Sequence, residues 1–144
     1  MLNGWLKNTT DMETNFNFKS SPCTSIEQSE RLLALGLKKE TADCYLFEYE
    51  KGKYKVIAES WLDLIADEEY YLQYKDICFP AWSLHRLLSL IEYDDGFIDV
   101  SLRGARYGIH YGYDDGWYDN LYDAVISCIE ALIEEKDFNK EYLV

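Results

Sequence analysis

The spacing of apolar and polar residues changes several times along this chain, and each change marks an element. From Thr24 the period is helical, with Leu32, Leu33 and Leu35 giving an apolar side. Thr24-Ser25-Ile26-Glu27 has the form of a capping box, in which the Thr hydroxyl takes an orphan amide and Glu27 reaches back to the cap. Gly36 is placed to end the helix, and the following LKKETAD reads as a turn. Ser60 is placed to cap a further helix, on which Trp61, Leu64, Ile65 and Leu72 recur at helical spacing. The pattern weakens through EEYYLQYKDICF, which reads as an extended or fraying helix end. Pro80 and Ser83 mark a new start, and Leu84, Leu87, Leu88 and Ile91 form a helical stripe. Asp119 or Asn120 caps the last helix, with Leu121, Val125, Cys128, Ile129 and Leu132 buried and Asp123, Ser127, Glu130 and Glu134 wet.

Two segments carry the period of two that belongs to strands. In the first, Lys51-Gly52 is taken as a two-residue turn. Glu50 then faces Lys53 and Glu48 faces Lys55 on one side, while Tyr45, Phe47, Tyr49, Tyr54, Val56 and Ala58 gather on the other. In the second, Gly104-Ala105 suits a type II′ turn. It pairs Leu102 with Tyr107, Val100 with Ile109 and Ile98 with Tyr111 on an apolar face. Phe97, Asp99, Ser101, Gly108, His110 and Gly112 fall on the opposite face.

The expected order is helix, hairpin, helix, helix, hairpin, helix. This predicts an α+β domain: an antiparallel sheet built from two β-hairpins, with helices packed on one face. Residues 23–144 form that single domain, and residues 1–22, polar with isolated Trp5, Phe16 and Phe18, read as a flexible N-terminal arm. RLLAL at 31–35 and RLLSL at 86–90 occupy equivalent places in the two halves, as an internal duplication or the chance likeness of Leu-rich helices would give.

Composition narrows the function classes. Net charge is −13 over 144 residues, with thirteen tyrosines and four tryptophans. Such a surface repels phosphate backbones and anionic headgroups, which disfavours direct nucleic-acid and membrane binding. It favours protein partners, basic ones above all, and leaves cations and nucleic-acid mimicry as alternatives. Apolar content of 48% is enough for a core. Cys23, Cys44, Cys78 and Cys128 form no CxxC pair, and they read as reduced, packed thiols of a cytoplasmic protein. The start, MLNGWLKNTT, lacks the basic and apolar regions of a signal peptide, and no stretch approaches a membrane span. No cofactor is expected.

Three segments together carry a resemblance. They are Cys23 to Ser29 running on to Leu35-Gly36-Leu37 and Thr41-Ala42-Asp43; Pro80-Ala81-Trp82-Ser83-Leu84 with Leu87-Leu88; and Asp119-Asn120 with Asp123-Ala124. The set resembles a group of small uncharacterised acidic proteins encoded in prophage-like and other mobile elements of gut anaerobic bacteria. The resemblance spans roughly residues 23–133. It implies a bacterial cytoplasmic setting and an accessory role in element biology, and it carries over no catalytic residue. The segments consist mostly of caps, turns and helix starts, so they mark the fold.

Few constellations suggest chemistry. Asp99 and His110 face each other across the second hairpin, and a carboxylate beside an imidazole can orient a general base. Gly108 and Gly112 flank His110, and a surface charge pair explains the same residues. Asp94-Asp95 and Asp114-Asp115 enter and leave that hairpin, each followed by Gly. Together they offer oxygen ligands for Ca²⁺ or Mg²⁺, or else ordinary solvated turns. Cys78 and His85 lie seven apart, which reads better as a core thiol and an exposed imidazole than as a dyad. Cys23 precedes a helix start, where the dipole could lower its pKa, although no base accompanies it. P-loop, G-x-G-x-x-G, H-E-x-x-H and G-x-S-x-G motifs are absent from the sequence, which argues against common enzyme classes. Tyr70, Tyr71, Tyr74 and Tyr118 offer an interaction or self-association surface, or else sit half-buried at helix edges.

The favoured expectation is therefore a small acidic protein-binding module, an accessory regulator or inhibitor of a basic partner. The alternatives are a nucleic-acid mimic and a small enzyme or cation-binding protein using Asp99, His110 and the Asp loops.

Overall fold

Helix α1 (Ile26–Ala34) starts one residue later than the capping pattern suggests. Ser25, not Thr24, is the N-cap; its hydroxyl accepts from the Gln28 amide, and the Gln28 side chain accepts from the Ser25 amide in return. Thr24 is withdrawn from this role because its hydroxyl is buried and used elsewhere. Gly36 ends the helix at φ 99°, where the Leu37 amide reaches the Leu32 carbonyl and the Gly36 amide the Leu33 carbonyl. In the computed structural model, residues 21–91 and 116–144 are described in full and residues 99–103 and 106–110 by their backbone. The expected arm thus lies almost wholly outside the described residues.

Strands β1 (Cys44–Glu50) and β2 (Lys53–Ile57) form the first hairpin, with Gly52 at φ 76° in the turn. Glu50 pairs with Lys53 and bridges it at 2.8 Å. Between Glu48 and Glu50 the register shifts by one residue. Glu48 therefore sits opposite Tyr54, and Lys55 opposite Phe47, so the expected Glu48–Lys55 pair does not form. The apolar set expected on one side is divided: Tyr45 and Phe47 join the main core, whereas Tyr54 and Val56 share the other face with Leu46. Tyr49 and Ala58 are exposed.

The physical reason is the position of β1. It is the central strand of a three-stranded sheet ordered β2-β1-β3, where β3 (Cys78–Ala81) comes from the segment expected to fray from a helix. Cys44, Leu46 and their partners Ala81 and Phe79 line one face; Tyr45, Phe47 and Cys78 line the other. A strand covered on both faces needs apolar residues in both phases. Pro80, which has no N–H to give to a ladder, is tolerated because β3 is an edge strand.

The long helix expected after Ser60 breaks at Asp67 into α2 (Trp61–Ala66) and α3 (Glu68–Tyr74). Ser60 caps the first; Asp67 leaves the helical region at ψ 79° and caps the second through the Tyr70 amide. The break leaves Leu72 59% exposed, although its spacing suggested core. Ser83 caps α4 (Leu84–Leu90), as its sequence position suggests.

Strands β4 (Asp99–Arg103) and β5 (Arg106–His110) pair antiparallel, with Val100 opposite Ile109 and Leu102 opposite Tyr107. Among the described residues they make a two-stranded ribbon separate from the three-stranded sheet, rather than the single sheet of two hairpins expected from the sequence. Nor are helices confined to one face of the main sheet, since Ile26 of α1 packs on the Leu46 side.

Helix α5 (Leu121–Glu134) is capped by Asn120 and lies beside β5. Val125, Cys128, Ile129 and Leu132 are buried as expected, but so are Tyr122, Ala124 and Ile126. Its expected wet face is mostly a helix contact. Gln28 of α1 donates to Asp123 at 2.9 Å, and Arg31 donates to Ser127 at 3.2 Å and Glu130 at 2.9 Å. The last turn of α5 closes on Lys136, which has φ 62°, while the Asp137 amide reaches the Leu132 carbonyl. Among the described residues, no helix is long and apolar enough to cross a membrane.

Trp82 has no exposed surface and ties the segments around Thr24 and Thr41 to its own. Its indole N–H donates to the Thr41 hydroxyl at 2.9 Å, and its amide donates to the Thr24 hydroxyl at 3.1 Å. Its carbonyl accepts from the Thr24 amide at 2.9 Å. Thr24 and Ser29 share a hydroxyl hydrogen bond at 2.8 Å, and the Thr41 hydroxyl donates to the Lys38 carbonyl at 2.7 Å. Next door, Asp43 accepts from both the amide and the hydroxyl of Ser83. Among the described residues, no buried side-chain polar atom lacks a partner.

Trp82→Phe removes the indole donor and opens a cavity, so urea unfolding is expected to show a loss of about 2–4 kcal/mol. Leu62→Ala, on the exposed side of α2, should fall within about 0.5 kcal/mol of the parent. Lys136→Gly relieves a left-handed side chain, and the same measurement should show a gain of about 0.5–1 kcal/mol. A loss there would mean that the Lys136 side chain contributes more than its backbone costs.

Candidate functional site

The residues singled out for chemistry fall in three places. Asp99 and His110 are direct register partners across the β4–β5 ribbon, as the Gly104-Ala105 turn predicts. Asp94, Asp95, Asp114 and Asp115 lie outside the described residues. Among the described residues no group of three or more His, Cys, Asp or Glu is gathered as a metal site would need. Cys78 is buried and His85 exposed, so the two do not share an environment.

The tyrosines take the half-buried alternative. Tyr70, Tyr71, Tyr74 and Tyr118 are partly buried and packed against the core. Tyr71 meets Trp61 edge-on at 6.0 Å, Tyr74 meets Phe47 edge-on at 5.6 Å, and Tyr70 lies 4.6 Å from Tyr74. These rings fasten α3 against α2 and β1. Burial, with the neighbouring Tyr70 hydroxyl, pushes the Tyr45 phenol well up.

A different surface comes forward in their place. On the Leu46 side of the sheet, a groove of about 320 Å³ runs between the start of α1 and β2. Leu46, Val56, Tyr54 and Ile26 form its apolar lining, and Glu27 stands on its rim. Tyr54 is 37% and Val56 38% exposed. The Tyr54 ring lies edge-on to Phe79 at 5.9 Å, across the central strand. Its phenol is raised, chiefly by its hydrogen bond to Glu48, with Glu27 and Glu30 adding negative potential. One carboxylate, that of Glu48, thus bonds the exposed ring's hydroxyl, and a second, Glu27, lines the same groove.

Strand β2 adds to this surface because it is the sheet's edge, and Lys53, Tyr54, Lys55 and Val56 are all exposed. One sequence signal does point here. Cys44-Tyr45-Leu46-Phe47 is apolar in both phases, which marks a strand with two covered faces and hence a second apolar surface.

Two thiols adjoin the groove, and one of them, Cys23, lines it. Cys23 and Cys44 are buried in one cluster with Leu46 and Ala81. Burial, with the Asp43 carboxylate, pushes Cys23 up to about 11 and Cys44 up to about 12. The helix dipole expected to lower Cys23 is overcome by desolvation. Burial and raised pKa are the surroundings of packed structural cysteines rather than of activated ones. Compared with protein-family models, with curated proteins and with solved structures, the chain matches none.

The raised thiols set a pH dependence. In the unfolded chain both ionise near the ordinary thiol value, while the folded chain keeps their protons. Their contribution is complete below about pH 9 and is lost as pH rises through about 11 and then about 12. Stability measured by urea titration should therefore fall with rising pH in that window, and the Cys23→Ala/Cys44→Ala variant should fall less steeply. Identical slopes would show that the two thiols ionise as freely in the folded chain as in the unfolded one.

Proposed function

We propose that this chain is a small acidic protein-binding module that regulates or inhibits a basic partner protein. The observation that supports the reading best is the β2 surface. An edge strand with exposed Tyr54 and Val56 stands beside an apolar groove that Glu27 also lines. Exposed aromatic and aliphatic groups provide contact area, and net charge −13 provides the long-range attraction that speeds encounter with a cationic partner. The resemblance to proteins of mobile elements supplies the setting of the proposal: the bacterial cytoplasm, with an accessory role for a phage or element.

A second reading has one specific observation behind it. Asp99 and His110 are backbone register partners across the ribbon, and a carboxylate with an imidazole is the residue pair from which a general base can be built. It gives catalysis or cation binding at that end of the chain, and His110→Ala is the variant that would abolish such an activity.

The module reading is tested by retaining tagged protein and its partners from host lysate at physiological salt and at about 1 M salt, where charges are screened beyond about 3 Å. One stoichiometric basic protein should be held at the lower salt and released at the higher. Retention of acidic proteins alone, or of none, would sink the reading.

A further inference from the structure

We propose that the partner docks as an added strand on the free edge of β2, through an extended segment that carries apolar residues flanked by lysine or arginine. This rests on the protein-binding reading and names its site and chemistry.

The geometry supplies three requirements of strand addition. The first is an available edge: β2 pairs with β1 on one side and with no other strand among the described residues. Five residues, Lys53–Ile57, offer roughly 17 Å of ladder. The second is a pocket for alternate side chains. A strand laid about 4.8 Å beyond β2 points every second residue toward the Leu46 side, where Val56, Tyr54 and Ile26 line the groove. The third is charge complementarity. Glu27 lines the groove and Glu48 hydrogen-bonds the Tyr54 hydroxyl, so cationic side chains beside the apolar pair find carboxylates there.

The lysines of β2 do not oppose this. Lys53 is bridged to Glu50, and Lys55 pairs with Phe47, which places it on the face away from the groove. Lysine on an edge strand disfavours unselective pairing, so attraction to an added strand has to come from the groove and its glutamate. The edge is thereby selective for a segment that brings its own apolar residues to the groove and its charges to the glutamates.

The test uses the full chain and three synthetic peptides: Lys-Thr-Val-Thr-Val-Thr-Lys, the same peptide with glutamate for both lysines, and the same peptide with proline at its centre. Binding is read by fluorescence anisotropy at low salt. The lysine peptide is expected to bind, and the other two to bind at least about tenfold more weakly. Val56→Lys and Glu27→Lys/Glu30→Lys should each weaken the lysine peptide by about tenfold or more, while Leu72→Asp, on exposed α3, leaves it unchanged. Melting curves check that each variant is folded.

Equal binding of the glutamate peptide, an equal effect of Leu72→Asp, or no binding of any peptide overturns the proposal. So does a dimer in sedimentation that Val56→Lys dissolves, since the occupant would then be a second copy of this chain. A Val56→Lys variant that still retains the wild-type lysate partner would discard the groove while leaving the protein-binding reading intact.

Discussion

The hydrogen-bonded Trp82 is the constraint on which the other elements depend. Its ring has no exposed surface, yet it carries an N–H that must be satisfied. Thr41 satisfies it from the turn after α1, and Thr24 takes the Trp82 amide from the residue pair that opens α1. The segments around Thr24 and Thr41 are thus both fixed to one residue far along the chain. Because Ala81 is the last residue of β3 and Ser83 caps α4, the same point sets the sheet edge and the next helix. Removal of either threonine would leave a buried donor without an acceptor, which costs more than the hydrogen bond itself contributes.

Much of the local structure was legible in the sequence. Ser60, Ser83 and Asn120 cap helices where their positions suggest, and Gly36 terminates α1 with the left-handed backbone that glycine allows. Those features rest on contacts within a few residues, so the local sequence carries them. The misses involve long-range competition. Thr24 looks like a cap, and the hydrophobic interior claims it for Trp82 instead. Glu48 and Lys55 look like cross-strand partners, and the irregularity near Tyr49 moves them apart so that β1 can serve two faces.

Strand β3 was hidden for a related reason. Cys78-Phe79-Pro80-Ala81 is short, contains proline and follows a helical pattern, so nothing local announces a strand. Its partner, β1, defines it. The candidate surface was only half visible: the alternation in the first hairpin suggested a single apolar face, whereas Leu46, Tyr54 and Val56 create a second one. The tyrosines of α3 attracted attention by composition, yet their rings are used to hold that helix down.

The sheet also partitions the sulfur chemistry. Cys23 and Cys44 sit with Leu46 on the groove side, while Cys78 and Cys128 belong to the main core, and all four are buried thiols. The chain therefore carries two built-in clocks for its own breathing. A reagent that modifies thiols only when they become reachable would time the lifting of α1 from the sheet through one pair. Disruption of the interior would be timed through the other. A partner seated on the groove would slow the first clock and need not touch the second, so native-state fluctuations would separate local closure from global stabilisation without any added label.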